Sequence, residues 1–176
     1  MIRGCNFILW CLLAPFAFAL QNDVHEKLHI HADTSFIDLK TGIYTYQGNV
    51  VSTQGSTVLT GDRITTKTDN QKRLLEIIAT QKPGTLAHYH TIPNPLDADL
   101  DAKAERIYYY PQEHQVILMG QAMVTQGANV YTGPLLRYNT LTRTIITEQP
   151  HDKKDERSHF VLDANTLSTK EFHASR

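Results

Sequence analysis

The hydrophobic and polar positions alternate with a period of two from residue 24 onward. Leu28, Ile30 and Ala32 alternate with His29 and His31, Ile37 and Leu39 flank Asp38, and Tyr44 and Tyr46 flank Thr45. Runs of this kind, rich in Thr, Val, Ile and Tyr and broken by Gly, Asn, Asp or Pro, predict about fifteen short antiparallel strands and no helix. Turn chemistry places hairpins at 40–42, 69–72, 110–114 and 138–140. Residues 73–79, RLLEIIA, have helix-compatible composition, but their flanks leave too short a window, and they are read as a strand. Residues 93–95 and 97–103 are read as the one substantial loop, and residues 149–158, QPHDKKDERS, as a charged surface loop.

Side chains two apart in a strand share a face. One apolar wall is therefore expected from Leu28, Ile30, Ile37, Leu39, Tyr44, Tyr46 and Leu59, and a second from Ile107, Tyr109, Val116, Leu118, Tyr131, Tyr138 and Ile145. A dry core is the ordinary use of such walls. The tyrosines argue for more, because each hydroxyl needs a partner or a mouth to point towards.

The chain repeats itself. Residues 48–61, GNVVSTQGSTVLTG, align without a gap on residues 120–133, GQAMVTQGANVYTG, 72 positions later, with seven of 14 identical. The same shift pairs Ala32-Asp33 with Ala104-Glu105, and Ala164-Asn165 begins a third copy that is not completed. Matched glycines between short apolar runs read as strand, bend, strand. A sandwich, a barrel or a stack of V-shaped turns accommodates that pattern, and the repeat favours the stack.

The ordered set Ala32-Asp33, Gly48-Asn49-Val50, Gln54-Gly55 and Gly61-Asp62 resembles the organic-solvent-tolerance (OstA-like) domain family of Gram-negative bacteria. The second copy supplies Ala104-Glu105, Gly120, Gln126-Gly127 and Gly133, but Pro134 stands where Asp is expected. The resemblance implies an all-β fold, a twisted open β-jelly roll of two facing antiparallel sheets. It implies a periplasmic lipopolysaccharide carrier that passes its cargo from an inner-membrane complex to an outer-membrane translocon. Its implied partners are lipid A acyl chains and membrane components sharing the domain; the first strand, 25–32, and the last, 159–167, have little to protect their edges, so further copies of this chain are expected to join head to tail through them. With the resemblance, the walls become a lipid-binding interior. Two other readings are a structural β-solenoid adaptor with a filled core and a secreted carbohydrate-binding β-sandwich.

Composition adds compartment and removes chemistry. Arg3, an apolar run over 7–13 and Ala17-Phe18-Ala19 spell a secretory signal peptide over 1–19, with residues 20–168 as one domain and 169–176 as a disordered tail. Both cysteines, Cys5 and Cys11, fall in the leader, so the domain is expected to hold without disulfides. The net charge of −1 offers no basic patch for nucleic acid. His29-x-His31 and His88-x-His90 have two-histidine spacing but lack the following Glu of a cupin site. Asp97-x-Asp99-x-Asp101 opens like a calcium loop, yet Ala102 and Tyr108 occupy the positions that need Gly and Glu. Neither a nucleophile elbow nor a phosphate loop occurs, so no enzyme activity, cofactor or metal is expected.

Overall fold

A computed structural model describes residues 23, 26–94, 96–148 and 157–163. The expected leader with its cysteines, residues 149–156 of the expected charged loop, Ala164-Asn165 and the expected tail lie outside the described residues. Among those described, alternation resolves into twelve strands: β1 (His29–His31), β2 (Thr34–Asp38), β3 (Ile43–Gln54), β4 (Thr57–Thr68), β5 (Leu74–Thr80), β6 (Ala87–Thr91), β7 (Leu100–Ala104), β8 (Arg106–Tyr110), β9 (Gln115–Gln126), β10 (Asn129–Asn139), β11 (Thr144–Glu148) and β12 (His159–Val161). Shifting β2 and β3 by 72 residues lands on β8 and β9 to the residue.

The strands are fewer and longer than the alternation predicts, because four of them continue through a bend. Each long strand meets two short ones end to end: β3 pairs β2 and β1, β4 pairs β5 and β6, β9 pairs β8 and β7, and β10 pairs β11 and β12. The pairings make two antiparallel ladders that share the four long strands. The first runs β2-β3-β4-β5-β8-β9-β10-β11, and the second runs β1-β3-β4-β6-β7-β9-β10-β12. Within them β4-β5-β8-β9-β7-β6 closes a ring of six strands.

The bends explain the acid-and-glycine motif. Gly48 and Asn49 have φ of +83° and +46°, and Gly120 and Gln121 have +78° and +48°. Asp33 N–H donates to the Gly48 carbonyl at 3.1 Å and Glu105 N–H to that of Gly120 at 2.9 Å. Asn49 Nδ2 donates to Asp33 Oδ2 at 3.0 Å, and Gln121 Nε2 to Glu105 Oε1 at 2.9 Å. Each acid therefore lies over a glycine and is tethered by the amide that follows it. On the partner strands, the register shifts between Gly133 and Leu135, so Pro134, which has no N–H to give a ladder, sits where none is required.

Residues 73–79 are a strand, as expected, within β5. The expected loop over 97–103 is shorter, because β7 takes its second half and pairs with both β6 and β9. Its inward residues Leu100, Ala102 and Ala104 alternate with charged Asp101 and Lys103, and two alanines give a weak apolar signal. Tyr138 and Asn139 are strand residues rather than turn residues. The turn spans 140–143, and Asn139 Oδ1 accepts the N–H groups of Leu141 and Thr142. At 111–114 a 3₁₀ turn puts His114 at φ +53°, the place Gly42 fills at +70° one repeat earlier.

Candidate functional site

The inner faces of the two ladders meet. Tyr89 on β6 of the second ladder and Tyr109 on β8 of the first hold their rings 6.0 Å apart. Around them Leu59, Ile107, Tyr109, Val116, Leu118 and Tyr138 of the predicted walls are no more than 3% exposed. These six form a packed middle, together with Ile64, Ile77, Tyr89, Leu100, Val124 and Leu136, which lie outside the predicted walls. The missed residues have a physical origin. On β4 the inward set passes from Leu59 and Gly61 to Ile64 and Thr66, and on β10 from Tyr131 and Gly133 to Leu136 and Tyr138. The bulge puts its extra residue on the partner strands, at Gly48-Asn49 on β3 and Gly120-Gln121 on β9, so the inward set of β4 and β10 changes parity there and counting in twos carries the wrong residues past the bend.

The other wall residues except Leu39 lie at the two ends, where no further strand among the described residues covers the inner face. At the first end Leu28, Ile30, Tyr44 and Tyr46 are half-buried, and Ile37, paired with Tyr44 on β3, is 46% exposed. Leu39 does not reach this face: it falls in the turn after β2 and is 71% exposed. At the last end Tyr131 and Ile145 are half-buried. There Phe160 on β12 meets Tyr131 edge-on at 6.0 Å. The interior is thus sealed in the middle and apolar and accessible at both ends.

Hydroxyls thread the packed middle. Ser52, Gln54, Thr57, Thr66 and Thr91 are buried polar groups on the inner face. Asp23 Oδ2 accepts from Ser56 and Thr57 at 2.6 and 3.0 Å, tying the start of the described chain to the β3–β4 turn. Burial, reinforced by the charge of Asp23, pushes the Tyr109 hydroxyl up to about 12, and burial raises Tyr89 and Tyr138 as well. The Tyr138 hydroxyl is buried with no hydrogen-bond partner. The folded state therefore favours neutral tyrosines: their stabilisation is complete below the ordinary pKa near 10 and is lost as pH rises through the raised values. We expect an alkaline titration followed at 295 nm to show Tyr89, Tyr109 and Tyr138 ionising only together with loss of the β-sheet circular dichroism signal. Ionisation at pH 10 with the fold intact would contradict that burial.

The two His-x-His pairs of the sequence lie in different settings. His29 and His31 are exposed on the outer face of β1. His88 Nε2 and His90 Nδ1 both lie against Asp101 Oδ1, at 2.8 and 3.2 Å. Burial works against the Asp101 charge, but hydrogen bonds from both imidazoles outweigh it and hold the carboxyl below its usual range. Among the described residues no group of three or more His, Cys, Asp or Glu is placed to hold a metal ion.

Residues 29–144, from β1 to the start of β11, match the family model described as LptA/(LptD N-terminal domain) LPS transport protein. The chain belongs to this lipopolysaccharide transport family. It is 35% identical over 127 residues to lipopolysaccharide export system protein LptH of Pseudomonas aeruginosa, covering 72% of this chain and 71% of that one. It is 26% identical over 132 residues to LptA of Haemophilus influenzae, covering 73% of each. It is 25% identical over 123 residues to LptA of Escherichia coli K12, and there spans 64% of the relative's length. The crystal structure of Pseudomonas aeruginosa LptH, described as the LptA-homologous periplasmic component of the lipopolysaccharide transport device, superposes with a TM-score of 0.74 at 29% identity. That superposition covers 81% of this chain and 99% of the other. The two ladders and their bends are thus the LptH-like fold of the LptA/LptD family.

Proposed function

We propose that the chain is a periplasmic carrier and bridge for lipopolysaccharide, built as a twisted open β-jelly roll from two repeats, with acyl chains held between its two ladders. The observation that carries this reading is the inner face, which is mostly apolar from the first layer to the last, with hydroxyls threaded through its middle, and which no further strand among the described residues covers at either end. Leu28, Ile30, Ile37, Tyr44 and Tyr46 receive chains at one end and Tyr131, with Ile145 and Phe160, at the other. Leu59, Ile107, Tyr109, Val116 and Leu118 are reached only when the ladders spread. Each methylene that leaves water for this wall gains about 0.8 kcal/mol, enough to hold an acyl chain and small enough to hand it on to a matching wall. No bond is made or broken, so direction must come from an energy source elsewhere. The partners are membrane components bearing the same domain.

A bridge also needs domains in line. β1 and β2 at one edge and β11 and β12 at the other each have one unpaired side among the described residues. Pairing the last layer of one copy with the first layer of the next extends both ladders and the apolar face, and because the contact is head to tail it grows filaments rather than closed dimers. A photoreactive residue at Tyr44 or Tyr131 is expected to label lipopolysaccharide. Light scattering should show mass growing with concentration in the full chain, and a chain with Leu162→Pro remaining folded and monomeric. Absence of labelling at both positions in folded protein sinks the carrier. A full chain that stays monomeric throughout sinks the edge-to-edge bridge.

A further inference from the structure

The bends fix where the long sides of the interior lie. Both ladders run away from the glycine bends. The first ends in the turns at 39–42, 69–73, 111–114 and 140–143, and the second ends in the turns at 55–56 and 127–128 and in the loop between β6 and β7. These two rows of turns are the free lips of the two ladders, and the packed middle lies between the ladders. Asp97, in the loop between β6 and β7, belongs to the second lip, and Arg143, in the turn between β10 and β11, belongs to the first. Their side chains form an ion pair from one lip to the other, 46 residues apart in sequence. Among the described residues every other ion pair joins neighbours within one ladder: Arg73 with Asp69, Lys82 with Asp62, Arg137 with Glu148, and His88 and His90 with Asp99 and Asp101. Beneath the crossing lies Tyr138, 2% exposed, its buried hydroxyl without a partner and within the fields of both Arg143 and Asp97.

We infer that Asp97 and Arg143 form a releasable clasp over the lateral mouth of the interior, and that the anionic head group of an entering amphiphile replaces Asp97 on Arg143. This inference rests on the carrier reading above for the identity of the amphiphile, but not for the clasp itself. The chemistry of the two lips fits the exchange. Asp97 is a carboxylate on a loop, held to the opposite lip by this one charge. A guanidinium binds a phosphate with the same planar fork it offers a carboxylate. Tyr138 supplies a second donor that the closed state leaves unused. Both charges are partly exposed, with side-chain exposures of 48% for Arg143 and 35% for Asp97, so the pair is weak enough to be displaced.

The test compares the full chain with Asp97→Asn, Arg143→Gln and the double swap Asp97→Arg with Arg143→Asp. In ligand-free protein, amide exchange at 96–99 and 140–143 reads the clasp directly. Asp97→Asn should accelerate it about two- to fivefold, the range a pair this exposed supplies. The double swap should restore slow exchange, and about 1 M salt should bring the unaltered chain close to Asp97→Asn by screening. Unchanged exchange in Asp97→Asn overturns the clasp. With fluorescent lipopolysaccharide, Asp97→Asn should load faster by a similar factor. The unaltered chain should hold phosphorylated material more tightly than dephosphorylated, and Arg143→Gln should hold the two alike. Equal retention by the unaltered chain overturns the head-group exchange, as does opening by inorganic phosphate alone at the same concentration. If exchange responds as expected while no lipopolysaccharide is taken up, the clasp stands, and the carrier reading fails together with the head-group exchange.

Discussion

Leu118→Glu unfolds the domain, whereas Ile30→Glu leaves it folded and stops lipid uptake. From the alternation alone the two residues are equivalent members of apolar walls, but the structure separates them. Leu118 is 0% exposed, paired with Ile107 on one side and Leu136 on the other, in the sealed middle of the first ladder. A carboxylate there is shut in among apolar side chains, and even in its neutral form it loses a Leu side chain's packing; the cost is about 4 kcal/mol or more, a large share of a domain's stability. Ile30 is half-buried on edge strand β1, opposite Ser52, and its substitute can turn towards solvent at the open end. We expect Ile30→Glu to keep the circular dichroism spectrum and lose lipopolysaccharide binding by tenfold or more, about 1.4 kcal/mol for each factor of ten. A folded Leu118→Glu, or an Ile30→Glu variant that binds normally, would show that the division between sealed middle and accessible ends is wrong.

Gly48→Ala and Gly120→Ala should each destabilise the fold by about 2 kcal/mol or more, and by similar amounts. Two effects add at both sites. The backbone is left-handed, at φ +83° and +78°, which an alanine adopts at a cost of roughly 1–2 kcal/mol. A Cβ would also collide with the carboxylate that covers the glycine, Asp33 at the first bend and Glu105 at the second. Gly84, at φ +84° with nothing within 4 Å of the position an added methyl would take, supplies the control: alanine there meets the backbone term alone. Urea denaturation of the three variants gives the two terms by difference. Shortening the acid, as in Asp33→Ala combined with Gly48→Ala, should recover part of the collision cost in a double-mutant cycle. Equal losses at Gly84 and Gly48 would remove the acid from the bend's architecture.

The all-β class, the 72-residue echo and the family resemblance are all legible in the amino-acid order, for one reason. Strand period, turn residues and glycine spacing are local properties, written by neighbours two to five residues apart. Leu28, Ile30, Tyr44 and Tyr46 are placed on an inner face by that local rule, and they lie on it. What the sequence could not express is which side chains meet across layers. The parity flips at Gly61 and Gly133 depend on pairing with strands that bend at Gly48 and Gly120, so Ile64 and Leu136 stay hidden while Leu59 and Tyr131 do not. β7 passes for a loop because Ala102 and Ala104 carry little apolar signal until β6 and β9 close over them. The division of the walls into a sealed middle and two open ends follows from how many layers stack above each residue, a count that no local pattern contains. The meeting of Asp97 with Arg143 belongs to the same class, since a charge in one turn finds its partner only when the two ladders have folded towards each other.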